Sequence, residues 1–208
     1  MIIAVDGPAA SGKGTLARRL AQHFGLRYLD TGALYRAVAR NLQRAGFRLD
    51  DVWAALAAAR GLNPETLDDA GLRLRGVGEA ASIVARIPQV RLALLDYQRA
   101  FARRLPGAVL DGRDIGTVVC RDADAKLYVT ATSEVRAGRR LREWQLRGEQ
   151  TTYDAVLADI VARDLRDSER SASPLRPARD AILLDTSDLD IDVAFDAAVG
   201  LIKRKISQ

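Results

Sequence analysis

The apolar run Ile2-Ile3-Ala4-Val5 leads, after one Asp, into Gly7-Pro8-Ala9-Ala10-Ser11-Gly12-Lys13-Gly14-Thr15, and the helical Leu16-Ala17-Arg18-Arg19-Leu20 follows at once. Gly7, Gly12 and Lys13 match G-x-x-x-x-G-K, set between a strand and a helix as that pattern demands. A chain that starts in this way is committed to alternating strands and helices, and so to a mainly parallel sheet. The loop also predicts its ligand. Gly7 and Gly12 let the backbone bring its N–H groups close to phosphates, the helix start adds the positive end of a dipole, and Lys13 reaches the outer phosphates. The nine residues from Gly7 to Thr15 are therefore expected to hold the phosphates of a nucleoside triphosphate.

The rest of the chain keeps the alternation. Ala108-Val109-Leu110, Lys126-Leu127-Tyr128-Val129 and Ala181-Ile182-Leu183-Leu184 read as further buried strands, with a short one at Arg27 to Leu29. Helical patterns fall near residues 14 to 24, 32 to 45, 52 to 59, 89 to 104, 134 to 147, 153 to 168 and 190 to 205. The expected fold class is α/β: a phosphate-loop NTPase-type core with a central parallel five-stranded sheet flanked by helices. Residues 50 to about 88, with Gly61, Pro64, Gly71, Gly76 and Gly78 and weak periodicity, read as a small excursion over the sheet edge. The Arg-dense segment from Arg136 to Gly148 reads as a second one. Both would close over a ligand beyond the carboxyl ends of the strands.

Composition excludes several classes. At 208 residues the chain suits one domain. Hydrophobic residues at 48% rule out wholesale disorder, yet no apolar run approaches the ~20 residues of a bilayer-spanning helix. Its start, MIIAVDG, lacks the basic and apolar regions of an export signal, so the chain is expected in the cytoplasm. Cys120 has no partner for an internal disulfide, and with His23 the single histidine any metal must be held by oxygen. The net charge of +5, carried almost wholly by Arg, admits partners that bear phosphate.

One departure from the general motif narrows the reading. Position 14, where a Ser or Thr usually binds Mg²⁺, is Gly, and the hydroxyl comes one residue later as Thr15. This G-K-G-T form resembles the nucleoside monophosphate kinases. Beyond the loop, Tyr28-Leu29-Asp30-Thr31-Gly32-Ala33-Leu34-Tyr35-Arg36 follows the second strand, where Asp30 or Thr31 can cap a helix carrying Arg36. Asp111-Gly112-Arg113-Asp114 follows Ala108 to Leu110, and Asp111 stands where an acid could hold Mg²⁺ through water or simply form a turn. Arg163, Asp167 and Arg170 recur at i, i+4 and i+7, which sets them on one helix face.

Four segments together, Gly7 to Thr15, Leu29 to Arg36, Asp111-Gly112-Arg113-Asp114-Ile115-Gly116-Thr117-Val118-Val119 and Arg163-Asp164-Leu165-Arg166-Asp167-Ser168-Glu169-Arg170, resemble bacterial cytidylate kinase over nearly the whole chain. The resemblance implies transfer of the γ-phosphoryl of ATP to CMP or dCMP with Mg²⁺. Its core would be residues 1–49, 89–132 and 149–208, with a nucleotide-binding flap at about 50–88 and a lid at about 133–148. By position it assigns the CMP phosphate to Arg36, Arg113 and Arg170, the cytosine to Ser82, Arg91 and Asp114, and the sugar to Arg163 and Asp167. Thr31 fills a place where the family often has Ser. The base assignment is chemically consistent, because the cytosine amino group donates to Asp114 and its acceptor atoms can take bonds from Arg91 and Ser82.

Arg136, Arg139 and Arg140 are the lid candidates for neutralising the moving phosphoryl group, beside Lys13, while Thr15 and Asp111 are the metal candidates. Many members of the family carry a longer insert after position 50 with a small antiparallel sheet, of which Leu72-Arg73-Leu74-Arg75 would be the trace here. The partners implied are ATP, CMP and dCMP, acting on a monomer, with no nucleic acid and no membrane. The competing readings are a kinase of the same size for UMP, AMP or a hydroxy acid such as shikimate, and an ATP-dependent nucleic-acid-binding protein. Against the last, aromatic residues are only 5% of the chain, too few for a stacking platform.

Overall fold

A computed structural model describes residues 1–63, 67, 70–74 and 76–207. Five strands, β1 (Ile2–Asp6), β2 (Arg27–Asp30), β3 (Ala108–Gly112), β4 (Ala125–Thr130) and β5 (Ile182–Asp185), form one sheet in the order β2-β3-β1-β4-β5. Every pairing in it is parallel, as the sequence predicts. The helices are α1 (Lys13–His23), α2 (Thr31–Arg44), α3 (Val52–Arg60), α4 (Val77–Val84), α5 (Pro88–Arg103), α6 (Ser133–Gln145), α7 (Tyr153–Glu169) and α8 (Ile191–Ile206). None of the described helices is long and apolar enough to cross a membrane.

The central strands β1 and β3 are buried on both faces because helices cover both. Ile3 and Val5 pack with Leu16 and Leu20 of α1 and Ile202 of α8, while Ala4 lies in the opposite layer with Leu110 and Ala102 of α5. Burying such side chains fully contributes ~1.5–3 kcal/mol each. A third cluster joins Leu34, Val38 and Leu42 of α2 to Ala55 of α3, Val84 of α4 and Leu94 of α5, all away from the sheet. β1 occupies the middle of the sheet, laddered to β3 on one side and β4 on the other, so the loop that leaves it emerges where the strand order reverses. At that exit Gly7 has φ 152°, and a Cβ there would stand 2.0 Å from the Val129 carbonyl oxygen, a space that only glycine fits.

The stretch after position 50 is helical where the sequence shows only weak periodicity. α4 begins at Gly76, in the left-handed region with φ 79°, and has no side-chain cap. It is held by packing instead, with Ala80, Ala81 and Val84 buried against α2. The expected strand trace is not a strand: Leu72 and Arg73 belong to a short 3₁₀ turn, Ala70–Arg73, and Leu74 to a bend. Leu72 buries its side chain against Ala33 and Ala37, and a single alternating run with no second strand to pair with satisfies its backbone better by turning. Pro64 and Arg75 lie outside the described residues. Residues 133 to 145 form one continuous helix, α6, capped by the Thr132 hydroxyl on the Val135 N–H.

Candidate functional site

The loop from Gly7 to Thr15 turns through left-handed conformations at Ala10 (φ 59°) and Gly12 (φ 85°), and Gly12 caps the start of α1. Lys13 is the first residue of that helix and is buried; its Nζ donates to the Pro8 carbonyl at 3.2 Å and stands 3.9 Å from Asp111 Oδ1. Asp111 is the fourth residue of β3, a strand buried along its whole length. Its Oδ2 accepts from the Tyr28 hydroxyl at 3.3 Å, and its carbonyl accepts from the Thr31 hydroxyl at 2.7 Å. A Cβ at position 14 would come 3.0 Å from Asp111 Oδ2. The missing hydroxyl at Gly14 is thus explained by the neighbouring acid: a side chain there would push the carboxylate aside, and the hydroxyl is presented from the exposed Thr15 instead.

These groups open into one cavity of about 390 Å³, which also reaches α4, α5, α6 and α7. Among the described residues ten cationic and seven acidic side chains line it, an excess of positive charge that suits a ligand with several phosphate oxygens. The acids hold the arginines apart and in place. Arg36 pairs with Asp30 at 2.6 Å, and Asp30 also caps α2 through the Ala33 N–H at 3.1 Å. Arg91 pairs with Asp114 and lies over the Tyr35 ring at 5.3 Å. Asp167 on α7 accepts from Ser82 of α4 at 2.8 Å and from Arg113 at 3.0 Å, with Arg163 at 3.8 Å. Even so, buried N–H donors stay without a hydrogen-bond partner at Arg36 Nε, Arg163 Nε and Arg170 Nη2. An excess of guanidinium groups over acids around one cavity is the chemistry that a phosphate site uses.

The structure therefore brings together Lys13, Thr15, Thr31, Arg36, Ser82, Arg91, Asp111, Arg113, Asp114, Arg163, Asp167 and Arg170. Ser82 reaches the cavity despite the shortened segment before it. Arg170 differs from the expected helix face: α7 ends at Glu169, and Arg170 is extended, with φ −62° and ψ 139°. The chain folds back there, with Leu175 N–H donating to the Asp167 carbonyl and Arg170 Nε to the Ser173 carbonyl. Of the loop, Ala9, Ala10, Gly12, Gly14 and Thr15 line the cavity, whereas Gly7, Pro8 and Ser11 sit behind it.

The three arginines of α6 part company. Arg140 lines the cavity, paired with Glu143 at 2.9 Å. Arg136 is buried behind the loop, donating to the carbonyls of Ala131 and Ala9 and pairing with Asp164 at 2.6 Å. Arg139 donates to Thr186 beyond the end of β5. Further lining residues, to which the sequence assigned no role, are Tyr28, Tyr35, Arg18, Glu79, Glu143 and Trp144 of α6, and Arg147 just beyond it. Tyr28 at least carried a signal, since it stands in a strand that runs toward the loop. His23, exposed and edge-on to Phe24 and Phe195 at 4.8 and 5.6 Å, is a packing residue.

Burial dominates the ionisation of the site. It lowers Lys13 to about 7, helped by the positive charge of Arg113 and opposed by Asp111. It raises Asp111, and it lowers Arg163 to about 9 with Arg113 as the next cause. Asp167 goes the other way: burial would raise it, but Arg113, Arg163 and Arg170 outweigh burial and hold it at about 2.

A family model described as cytidylate kinase matches residues 3–204. The chain is similar to proteins named cytidylate kinase from Methylocella silvestris, 62% identical over 98% of this chain and 94% of that one, and from Rhodopseudomonas palustris, 57% identical over 98% and 96%. A third, from Azorhizobium caulinodans, is 58% identical over 98% of both chains. Among solved structures, an uncharacterised protein of Eubacterium ventriosum superposes with a TM-score of 0.60 at 14% identity, over 98% of each chain. A sugar kinase of a Janibacter species does so with a TM-score of 0.52 at 16% identity, over 99% of this chain and 96% of that one. At such identities the likeness is one of fold.

Proposed function

Because this chain belongs to the cytidylate kinase family, and phosphorylates CMP and dCMP with ATP, we propose which of its residues hold the two nucleotides and how they lower the barrier between them. The observation that carries the reading is the single cavity in which Lys13 and the phosphate loop meet Arg36, Arg113 and Arg170. The loop and Lys13 hold the donor's phosphates. Arg36, Arg113 and Arg170 receive the acceptor's phosphate, Asp114, Arg91 and Ser82 its base, and Arg163 and Asp167 its sugar. In this reading residues 1–49, 89–132 and 149–208 are the core, 50–88 the nucleotide-binding flap and 133–148 the lid.

The acceptor phosphate is anionic near neutral pH, so its oxygen attacks without a general base, and ADP leaves as CDP forms. What the chain supplies is alignment and charge. Lys13 meets the outer phosphates of the donor, Arg140, the one of the three lid candidates that lines the cavity, meets charge that develops on the transferred group, and Arg136 fixes the loop from behind through the Ala9 carbonyl. Mg²⁺ fits the donor set, because the Thr15 hydroxyl and the Asp111 carboxylate, both hard oxygen donors, belong to residues that line the same cavity. Thr15 would hold it directly and Asp111 through water, and when bound it neutralises charge on the phosphates. We read the chain as a cytoplasmic monomer acting on free nucleotides, not on nucleic acid.

A coupled assay of ADP release with CMP, dCMP, UMP, AMP, GMP and shikimate tests the assignment, with the two cytidine nucleotides expected to lead. Success with another acceptor and failure with both would overturn it. A second expectation follows from Lys13. With its ammonium lowered by burial to about 7, it is mostly neutral near pH 8, and phosphates beside it favour the charged form. Binding of MgATP is therefore expected to take up a fraction of a proton near pH 8 and none well below pH 7, read from the buffer dependence of the binding enthalpy. The Lys13→Met protein should lack this uptake; an uptake that persists in it would assign the proton elsewhere.

A further inference from the structure

Asp6, the last residue of β1, has no part in the assignments above, yet it is 4% exposed and both of its carboxylate oxygens are engaged. Oδ1 accepts the main-chain N–H of Ile115 at 2.8 Å and Oδ2 that of Gly116 at 2.8 Å. These are the first two residues of a single π-helical turn, Ile115–Val119, which follows directly on Arg113 and Asp114. The opposite end of the turn is held from α5, where Arg99 donates to the carbonyls of Val118 and Val119 at 3.1 and 3.2 Å. Asp114 itself has φ −146° and ψ 25°, outside regular strand or helix, so its direction is set by what holds the residues around it.

The fit at the turn is close. A Cβ on Gly116 would come 3.1 Å from Lys126 Cδ and 3.4 Å from Asp6 Oδ2, and one on Gly112 would come 2.6 Å from Ile115 Cδ1. Burial raises the Asp6 carboxyl to about 7 in spite of its two N–H bonds, with Asp114 and Asp111 adding to the rise. An acid kept where its charge is disfavoured is poorly explained as strand filling, since apolar residues occupy the rest of the strand's interior.

We propose that Asp6 is a positioning residue for the acceptor nucleotide: its carboxylate grips the backbone of Ile115 and Gly116 and so aims Asp114 and Arg113 into the cavity. Because Asp6 immediately precedes Gly7, the strand that presents the donor loop also sets the residues that select the acceptor. This rests on the assignment of Asp114 to the acceptor's base.

The test uses Asp6→Asn, whose amide has one acceptor oxygen in place of two and turns an NH₂ toward an N–H. Binding of CMP alone and of MgATP alone is measured by calorimetry, together with amide hydrogen exchange across residues 113–119. Exchange at Ile115 and Gly116 is expected to accelerate by about tenfold or more and CMP affinity to fall by about tenfold, with MgATP affinity within about threefold of the parent. Unchanged exchange, or equal loss of both nucleotides, overturns the proposal. Should Asp6→Asn fail to fold, Gly116→Ala crowds the same turn against Lys126 and the Asp6 carboxylate and should weaken CMP selectively; no selective effect there also overturns it. Asp114→Ala separates the two claims. If it weakens CMP and Asp6→Asn does not, the Asp6 role falls and the base assignment stands; if Asp114→Ala leaves CMP binding intact, the base assignment falls and the Asp6 role with it.

Discussion

Lys13→Ala is expected to lower kcat for CMP phosphorylation by ~10³-fold or more, with the folded structure retained by circular dichroism. The estimate follows from electrostatics: one preorganised donor aimed at developing charge in a water-poor site accounts for ~10²–10³ in rate, and Lys13 is a full charge on the outer phosphates of the donor. Several of its cationic neighbours are engaged elsewhere. Arg113 and Arg36 are tied to Asp167 and Asp30, and Arg136 and Arg139 face away from the cavity. A near-normal kcat/KM in well-folded Lys13→Ala protein would reject the assignment of the loop.

Asp167→Ala is expected to act on stability and acceptor use together. The carboxylate is 3% exposed and joins Ser82 on α4, Arg113 after β3 and Arg163 on its own helix. Removing it leaves buried guanidinium groups without their counter-charge, a change that costs ~3–5 kcal/mol when a buried ion pair loses one member. KM for CMP should rise by ~10²-fold as Arg113 loses its orientation, while KM for ATP moves by no more than about threefold. Asp167→Asn, which keeps the size and the Ser82 contact, should recover part of the stability but little of the CMP affinity. Denaturant unfolding and steady-state kinetics read the two effects, and equal rises in both KM values would remove Asp167 from the acceptor side. Its folded pKa of about 2, against an ordinary 3.8, means that its contribution to stability is present above pH 3.8 and lost as pH falls through 2.

The sheet was legible because β1, β3, β4 and β5 are each built on a short apolar run, and the loop because motif, strand and helix coincide. α4 was not. Its sequence, Val77 to Val84, has Gly78 near the start and no capping side chain, so its helicity comes from packing against α2, which no local pattern displays. Leu72 to Arg75 misled for the related reason that alternation alone does not supply a partner strand. At the site, residue types could be read but not their pairings. Nothing in the order of residues says that Ser82 meets Asp167 across 85 positions, or that Asp6 meets Ile115 across 109. The α6 arginines show the limit most clearly: one helix sends Arg136 behind the loop, Arg139 to Thr186 and Arg140 into the cavity, and which is which depends on the neighbours of α6.

The placement of β1 has a consequence for how such an enzyme can diverge. Its two ladders fix the donor loop through main-chain bonds that no substitution of a side chain removes, whereas the acceptor is met by side chains from α2, α4, α5 and α7 and the turn after β3. What receives the phosphoryl group can therefore be rewritten residue by residue while the handling of the donor is inherited unchanged, which makes one sheet a reusable chassis for many acceptors. Asp6 is where that modularity stops: it belongs to the inherited strand and to the adaptable turn at once, so a lineage that changes its acceptor must either keep this acid or rebuild the turn without it.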